Sequence, residues 1–387
     1  MRFTPSIFTS LLKPIDRRGF KEIVKRHDGD AYGKSFNSWE HLVTLLFAQF
    51  TGADSLRAIE TSFNAQSNHH YHLGCGRVAR STLADANARR PAAIFAQLFT
   101  ALSSGLGRNA RKEGKAILQL IDSTPVPLSR LFDCAASNGR IHGLKLHILH
   151  DLASACPLAL EITPANVNDI AFSRPLPIKA GVIYVFDKAY CHFGWWTAID
   201  QAGAFFITRP KINMSWKTMR LRPLADIRGD GFTVKADREV TLASKGDSKL
   251  PIFLRRITIK PDTGKVFDIL TNDQTRSATE LAASYKARWQ IELLFRWIKQ
   301  NLSIGKFIAF NENAVRLQIL AAMIALVLIA IARKLNHPLL SPRRFAELIS
   351  AFIHARRRLA SIDKPPPINP SGKRQSSSSA QIEIQYA

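Results

Sequence analysis

The 387-residue sequence has few of the features of secreted and membrane proteins. Its four cysteines show no C-x-x-C spacing, which argues against a disulfide framework and favours reduced thiols in a cytosolic protein. The first residues, M-R-F-T-P-S, lack the apolar segment of a signal peptide. The apolar run Ile319–Ala332 is shorter than the roughly 20 residues that cross a bilayer, so we interpret it as a buried core helix rather than a membrane span.

Acidic residues are also scarce in this chain. There are 30 Asp and Glu against 54 Lys and Arg, which gives a net charge of +24. Such an excess predicts binding to polyanions, with nucleic acid the first candidate and an anionic membrane the second. The hydrophobic content of 46% is normal for a globular protein, and the length allows one large or two to three smaller domains.

Residues 1–110 are predicted to be helical. Trp39–Phe50 has apolar residues at helical spacing, with Ser38 as a candidate N-cap and Gly52 as the stop. Two shorter helices are expected over 56–63 and 82–90, separated by a histidine-rich loop around 69–75. Short helices followed by a basic one fit a helix-turn-helix-like DNA reader; the alternative is a plain bundle with a solvated basic face. The candidate DNA contacts are Arg80, Arg89 and Arg90.

From residue 115 the pattern changes to strands. Continuous apolar runs at 116–121 and 181–186 are typical of central strands covered on both faces, which indicates an α/β core. Each run ends at an aspartate, Asp122 in the first case and Asp187 in the second. Further strands are expected at 144–149, 158–162 and 204–208.

The segment between residues 208 and 278 has a different texture, with strand-like alternation broken by Gly, Asp and Lys-rich turns. We interpret it as a β-rich insertion whose basic residues either contact phosphates or form a solvated surface: Lys211, Lys217, Arg220, Arg222, Arg255 and Arg256. The Pro- and Ser-rich end of the chain cannot build a core, so it is predicted to be disordered.

Ser284–Asn301 is predicted to be one uninterrupted helix, since no proline or glycine breaks its apolar periodicity. Four polar residues fall on it three, four and seven positions apart, close to whole turns, and therefore share a stripe. They are Tyr285, Arg288, Glu292 and Lys299. Taken alone, the stripe describes an ordinary surface helix with two intrahelical ion pairs.

The two strand-end aspartates give this stripe another meaning. Asp122 alone could be a helix N-cap, and Asp187 could simply pair with Lys188. Together with Glu292, however, three carboxylates can converge at one end of a sheet. Oxygen ligands without His or Cys favour Mg²⁺ or Mn²⁺.

Such a site suits phosphoryl transfer. Two ions roughly 3.5–4 Å apart clamp the attacking and leaving oxygens of an in-line displacement. Arg288 and Lys299 would then neutralise phosphate charge, and Tyr285 would donate a hydrogen bond to a phosphate oxygen.

These residues carry a family resemblance. The four stripe residues match Y-x2-R-x3-E-x6-K without a gap, and the strand-end aspartates stand in L-I-D-S-T and D-K-A-Y contexts. In these features the sequence resembles insertion-sequence DDE transposases of the insertion-sequence-four family. The resemblance covers about residues 5–360 and includes T-P-A-N-V-N-D (Thr163–Asp169). A departure is Lys188, a cation adjacent to an expected metal ligand.

The resemblance implies a ribonuclease-H-like α/β core at 111–210 and 279–360, interrupted by a β-rich insertion at 211–278. A helical DNA-binding region at 1–110 would precede the core, and a disordered tail at 361–387 would follow it. Asp122, Asp187 and Glu292 would be the catalytic metal ligands for two Mg²⁺ ions, for which Mn²⁺ can substitute. Tyr285, Arg288 and Lys299 would contact DNA.

The implied activity is cut-and-paste DNA transposition by a bacterial cytoplasmic enzyme that associates with the nucleoid when bound to DNA. It would bind terminal inverted repeats in double-stranded DNA as a homodimer, hydrolyse the ends to 3′-hydroxyls and join them to target DNA. No membrane partner is expected. Two alternatives stay open: a non-catalytic DNA-binding protein derived from a transposase, and a two-metal nuclease on the same core.

Overall fold

The structure is a computed structural model that describes residues 5–31, 35–111, 117–129, 132, 134–224, 227–242, 252–301, 307–309 and 311–364. The chain begins with helices α1 Ile7–Leu12, α2 Arg17–Arg26, α3 Ser38–Thr51, α4 Leu56–Asn64, α5 Ser67–Leu73, α6 Arg80–Arg89 and α7 Ala93–Arg111. The later helices are α8 Ile170–Ser173, α9 Phe193–Gln201, α10 Ala278–Lys286, α11 Trp289–Asn301, α12 Glu312–Asn336 and α13 Pro342–Phe352.

Local sequence explains where α3 begins and ends. Asn37, not the predicted Ser38, is the N-cap: its side chain accepts the Glu40 amide, and Glu40 accepts the Asn37 amide in return. Gly52 ends the helix with φ +72°, a left-handed conformation that glycine adopts without a steric penalty.

The prediction of a histidine-rich loop is wrong, because α5 occupies residues 67–73. The buried residues of this short helix are Leu73 and His70, and the His70 ring is stacked on Phe63. The His70 ring also hydrogen-bonds to the Phe63 carbonyl at 2.9 Å. A histidine used as a core residue was not visible from composition.

The described strands are β1 Leu118–Pro127, β2 Ala136–Ser137, β3 His142–Asp151, β4 Cys156–Pro164, β5 Ile183–Phe186, β6 Phe205–Thr208, β7 Trp216–Leu221, β8 Arg228–Gly229, β9 Phe232–Leu242, β10 Leu254–Pro261 and β11 Phe267–Thr271. They form one sheet, with the order β2-β3-β1-β5-β6-β11-β10-β9-β7 and with β4 on β3 and β8 on β9. β3 is antiparallel to β1, whereas β5 and β6 run parallel to β1.

One strand prediction needs correction. β1 does not end at Asp122 but continues to Pro127, because β3 still pairs with it after the parallel pairing with β5 has stopped at Ile121. After Ile121 the side of β1 that faced β5 has no partner among the described strands, and such a side tolerates the prolines Pro125 and Pro127. The strands β7 to β11 fall in the predicted β-rich insertion. They extend the same sheet through the pairing of β11 with β6.

Two apolar layers cover the two faces of the sheet. On the first face, strand residues such as Leu120 and Val185 pack with α7, α10, α11 and α12 in a core that also includes the N-terminal helices. On the second face, Ile121 and Phe186 pack against α8 and α9. Neighbouring residues of a central strand therefore contact different sets of helices.

The expectation of one uninterrupted helix over 284–301 is wrong. α10 ends at Lys286 and α11 begins at Trp289, with a turn between them. In this turn the Arg288 amide donates to the Tyr285 carbonyl, a tighter three-residue step. Because neither glycine nor proline marks the turn, the apolar periodicity gave no sign of it.

The apolar run 319–332 lies in α12. Among the described residues, α12 is the helix that is long and apolar enough to cross a membrane. However, 83% of its most apolar window is buried inside the protein, where it packs with α3, α7 and α13. This agrees with the interpretation of the run as a core helix.

The predicted domain boundary between residues 110 and 111 lies at the end of α7. Residues 112–116, which follow it, and residues 365–387 of the predicted disordered tail lie outside the described ranges.

Candidate active site

Asp122 and Asp187 lie next to each other at one edge of the sheet. Ile121 pairs with Phe186 in the parallel register of β1 and β5, so the two aspartates are the next residues on neighbouring strands. Alternation along both strands directs them to the face that α10, α11 and α12 cover. The sequence prediction that the two carboxylates share one end of the sheet is consistent with this register.

Glu292 reaches this edge through an arginine. Arg288 Nη1 donates to Asp122 Oδ2 at 3.1 Å, and Arg288 Nη2 donates to Glu292 Oε1 at 2.5 Å. The arginine thus bridges a strand carboxylate and a helix carboxylate. The break between α10 and α11 places Arg288 in the turn at the start of α11, where its side chain reaches across to β1.

The electrostatics of this edge are those of a crowded carboxylate site. The pKa of Asp122 is raised to about 6, chiefly by burial and in smaller part by the nearby carboxylates of Asp187 and Glu292, while the Ser123 amide and Arg288 act to lower it. Burial works against the charge of Arg288, but Tyr285, Asp122 and Glu292 raise its pKa overall. A perturbed carboxyl beside a half-buried cation is typical of functional sites.

The donor chemistry of the three carboxylates fits a divalent metal, since hard oxygen ligands suit Mg²⁺ and Mn²⁺. In the arrangement seen here, Glu292 and one oxygen of Asp122 are turned to Arg288 instead. Within the described ranges, no three carboxylate, imidazole or thiol groups are grouped closely enough to hold one ion. Arg288 thus contacts two of the three carboxylates, those of Asp122 and Glu292.

The other two stripe residues lie at different distances from the carboxylates. Tyr285 is buried on α10 with its ring against Phe267, and burial raises its pKa to about 12; its hydroxyl lies within electrostatic reach of Arg288 and Asp187. Lys299 lies seven residues beyond Glu292 on α11 and is exposed. At 1.5 Å per residue, that separation is about 10 Å.

Arg209 was not among the residues predicted from the sequence to lie near the strand-end carboxylates. This residue follows β6, and because Val185 pairs with Ile207, it stands in register with Asp187. Its exposed guanidinium lies over the Phe267 ring at 4.9 Å and within electrostatic reach of Tyr285. The signal was present: Arg209 directly follows the predicted strand 204–208, the third parallel strand at this edge.

The N-terminal candidates separate into two kinds. Arg80 and Arg89 are exposed on α6. Arg90 is buried, with its guanidinium 3.6 Å from Asp30, over the Phe36 ring and bonded to the Phe36 carbonyl. The side chain of Arg90 is therefore used inside the protein, whereas Arg80 and Arg89 are available to a ligand.

The same distinction applies to the basic residues of the β7–β11 region. Arg255 is buried and bonded to Asp237, and Arg256 is bonded to Asp268. Both arginines thus hold strands together rather than offer charge to a ligand. Lys217 and Arg220 on β7 are exposed.

Comparison with known proteins agrees with this picture. A family model described as a transposase DDE domain matches residues 113–328, and a domain of unknown function, DUF4372, matches residues 4–76. A putative transposase of Sinorhizobium fredii is 54% identical over 304 residues, covering 79% of this chain and 85% of the relative.

More distant relatives carry similar names. A probable transposase for insertion sequence element IS5377 of Geobacillus stearothermophilus is 26% identical, covering 66% of this chain and 68% of the relative. A putative transposase for insertion sequence element IS4SA of Synechocystis is 24% identical, covering 72% of this chain and 81% of the relative. A cryo-EM structure of the piggyBac transposase synaptic complex with hairpin DNA aligns at 11% identity with a TM-score of 0.43, covering 94% and 81% of the two chains, a likeness too low to support an argument.

The DDE-domain match spans more than half of the chain, and the relative from Sinorhizobium fredii covers most of it at high identity. On these two findings, the chain belongs to the family of transposases with a DDE domain.

Proposed function

We propose that the protein is a Mg²⁺-dependent transposase of the insertion-sequence-four family that moves its own insertion sequence by a cut-and-paste route. The observation that carries the proposal is the register of β1 and β5, which sets Asp122 beside Asp187 on the face where Arg288 brings in Glu292. The antiparallel strands β4, β3 and β1, continued by the parallel strands β5 and β6, support a ribonuclease-H-like core.

In this proposal Asp122, Asp187 and Glu292 hold the metal. When bound, two Mg²⁺ ions (or Mn²⁺) would neutralise phosphate charge and activate the nucleophile, which is water in the hydrolysis step and the 3′-hydroxyl in strand transfer. The side chains of the protein orient the DNA around that site. Arg288 and Arg209 would pair with phosphate oxygens, because each presents a guanidinium at this edge of the sheet.

The remaining stripe residues would contact the DNA further out. The Tyr285 hydroxyl would donate to a phosphate oxygen near Arg288 and would stay protonated at neutral pH, consistent with its raised pKa. Lys299, about two turns beyond Glu292, would meet the backbone a few nucleotides away. Arg80 and Arg89 on α6 would contact the terminal repeats as part of the helical region at 1–110.

The protein would act in the bacterial cytoplasm on double-stranded DNA, with two copies pairing the two transposon ends. The core would comprise 111–210 and 279–360, with 211–278 inserted between them.

Cleavage of a supercoiled plasmid that carries two copies of the inverted repeat from the gene's own flanks tests the proposal. With Mg²⁺, the native protein should nick the ends and give joined products. Asp122→Asn, Asp187→Asn and Glu292→Gln should still bind the repeats but should not cut them. Glu312→Gln, which removes an exposed carboxylate paired with Arg316, is the matched control and should cut normally.

Three results would contradict the proposal. Normal cutting by a carboxylate variant would remove that residue from the site. Repeat binding by the native protein without any nick would favour a non-catalytic DNA-binding protein. Cutting that ignores the repeats and yields no joined product would favour a nuclease.

A further inference from the structure

A polar cluster lies behind Asp122, on the opposite face of β1. It consists of Ser123, Lys145, His147 and Asp169, of which Asp169 closes the T-P-A-N-V-N-D segment between the two strand-end aspartates. Ser123 faces away from Asp122 because neighbouring strand residues point to opposite faces. Ser123 pairs with His147 on β3, so the cluster is built on the β1–β3 pair.

Asp169 is the centre of this cluster. Its Oδ1 accepts the Ser123 hydroxyl at 2.8 Å and lies 3.1 Å from Lys145 Nζ. Lys145 is itself fixed, since the same ammonium donates to the Val167 carbonyl at 2.9 Å. Both charged side chains are mostly buried, with exposed fractions of 14% for Lys145 and 20% for Asp169. An ion pair in such a setting holds its geometry better than a solvated surface pair.

His147 supports the cluster as a neutral side chain. Its ring is fully buried, stacked on Phe172 and hydrogen-bonded through Nε2 to the Thr163 hydroxyl at 2.9 Å. Burial lowers its pKa to about 4, so the cation that faces Asp169 at neutral pH is Lys145.

Ser123 connects this cluster to the active site. Its hydroxyl is held by Asp169 on one face of the sheet, and its backbone amide donates to Asp122 Oδ1 at 2.8 Å. The other Asp122 oxygen, Oδ2, faces Arg288. Ser123 thus contacts both aspartates, so the bond to Asp169 fixes the residue whose amide orients the Asp122 carboxylate.

We propose that Ser123, Asp169 and Lys145 are positioning residues that fix the Asp122 carboxylate for metal binding from behind the strand. The inference rests on the proposed function, in which Asp122 is a metal ligand. Hydrogen-bond partners of metal ligands typically change metal affinity or activity by about 10–100-fold when removed.

Mn²⁺ titration followed by electron paramagnetic resonance tests the inference, with the full-length protein alone and bound to terminal-repeat DNA. Ser123→Ala keeps the backbone amide that contacts Asp122 but loses the hydroxyl that anchors Ser123, and Asp169→Asn loses the charge that pairs with Lys145. Both should therefore weaken Mn²⁺ binding by about tenfold, the lower end of the effect of removing a direct hydrogen-bond partner of a metal ligand. Ser123→Thr keeps the hydroxyl and should restore most of the affinity. Repeat binding should remain at the native level in all three variants, because none of these side chains is placed on the DNA.

Ser154→Ala is the matched control for lost stability. Its hydroxyl donates to a buried aspartate, Asp151, at 2.6 Å, at the far end of β3. This variant should melt at a lower temperature, as Ser123→Ala should, but should bind Mn²⁺ normally. If Ser123→Ala and Asp169→Asn bind Mn²⁺ with native affinity but melt at lower temperatures, the inference is wrong and the cluster only stabilises the fold.

Asp122→Asn separates the failure of the inference from that of the proposed function. If this variant loses Mn²⁺ binding while Ser123→Ala keeps it, only the positioning role falls. If Mn²⁺ binding does not depend on Asp122, with or without DNA, the proposed metal site falls and the positioning role falls with it.

Discussion

At the scale of single residues, Arg288 occupies the position that decides the state of the site. It donates to both Asp122 and Glu292, two of the three proposed metal ligands. The guanidinium and a divalent ion therefore compete for the same oxygens. A DNA phosphate that binds Arg288 would replace Asp122 and Glu292 as its partner and leave both carboxylates available to the metal. DNA binding would therefore increase the affinity for metal, and metal binding would increase the affinity for DNA.

We expect Arg288→Ala to raise the Mn²⁺ affinity of the DNA-free protein while abolishing DNA cleavage. The increase should be on the order of tenfold, since a hydrogen bond to a charged group contributes roughly 1.5 kcal/mol or more. Mn²⁺ titration and the plasmid assay measure the two effects. Arg296→Ala, at an exposed position on the same helix, is the control. Weaker Mn²⁺ binding in Arg288→Ala would mean that the arginine assembles the carboxylates instead of competing for them.

Asp122 is predicted to destabilise the folded protein at neutral pH. Its pKa is raised by burial from 3.8 to about 6, so the folded state favours the protonated carboxyl. The contribution of Asp122 to the free energy of unfolding is therefore most favourable below pH 3.8, where the carboxyl is protonated in both states. It is lost as the pH rises through about 6, where the folded protein must ionise the buried carboxyl. Asp122→Asn should therefore increase the free energy of unfolding at pH 8 by on the order of 2–3 kcal/mol, and by little near pH 4.

Urea unfolding at several pH values measures this difference. Glu312→Gln, which removes an exposed carboxylate, should show no comparable trend. An Asp122→Asn variant that gains no stability between pH 4 and pH 8 would contradict the destabilising role of this carboxylate.

At the scale of elements, a buried arginine joins strands of the β7–β11 region to the segment that leads into α10. Arg255 on β10 bonds to Asp237 on β9 and to the carbonyls of Asp273 and Arg276 before α10. The arginine therefore joins two strands to the chain that leads into the site helices. The basic residues of this region looked alike in the sequence, because pairing depends on which strand becomes the neighbour.

Asp237→Ala should destabilise the protein by about 3–5 kcal/mol, because it leaves Arg255 buried without its carboxylate partner. Urea unfolding followed by circular dichroism gives the measurement. Asp230→Ala breaks an exposed pair with Lys286 in the same part of the fold, and it should not measurably change the unfolding midpoint. Equal effects of the two substitutions would mean that the buried pair contributes no more than the exposed one.

The elements also show how far the sequence could predict the site. The apolar runs located β5 and β6 to within two residues, and the register of β1 with β5 then brings Asp122 beside Asp187. The break before Arg288 could not be predicted, because it depends on tertiary contacts and not on a glycine or proline. The Ser123–Asp169 bond was equally hidden, since it joins residues 46 positions apart.

At the scale of the whole molecule, the helical N-terminal region and the sheet share one apolar core. α12 lies between them, in contact with α3 and α7 on one side and with β4 on another. Asn313, near the start of α12, also donates to the carbonyls of Asn87 and Arg90 around the end of α6. The basic helix α6 is therefore anchored to the catalytic half, which keeps the two proposed DNA surfaces at a fixed separation.

The net charge of +24 predicts that repeat binding weakens steeply with salt, because binding releases counterions from the DNA and this release becomes less favourable as the salt concentration rises. Arg80→Ala and Arg89→Ala should each reduce the steepness of log K against log[salt] by about one, as expected for one lost phosphate contact.

Arg343→Ala, at an exposed arginine on α13 that pairs with Glu347, is the control. Arg90→Ala should lower stability without changing the slope, because Arg90 is buried against Asp30. Unchanged slopes for Arg80→Ala and Arg89→Ala would make the basic face of α6 a solvated surface and place the repeat-binding surface elsewhere on the protein.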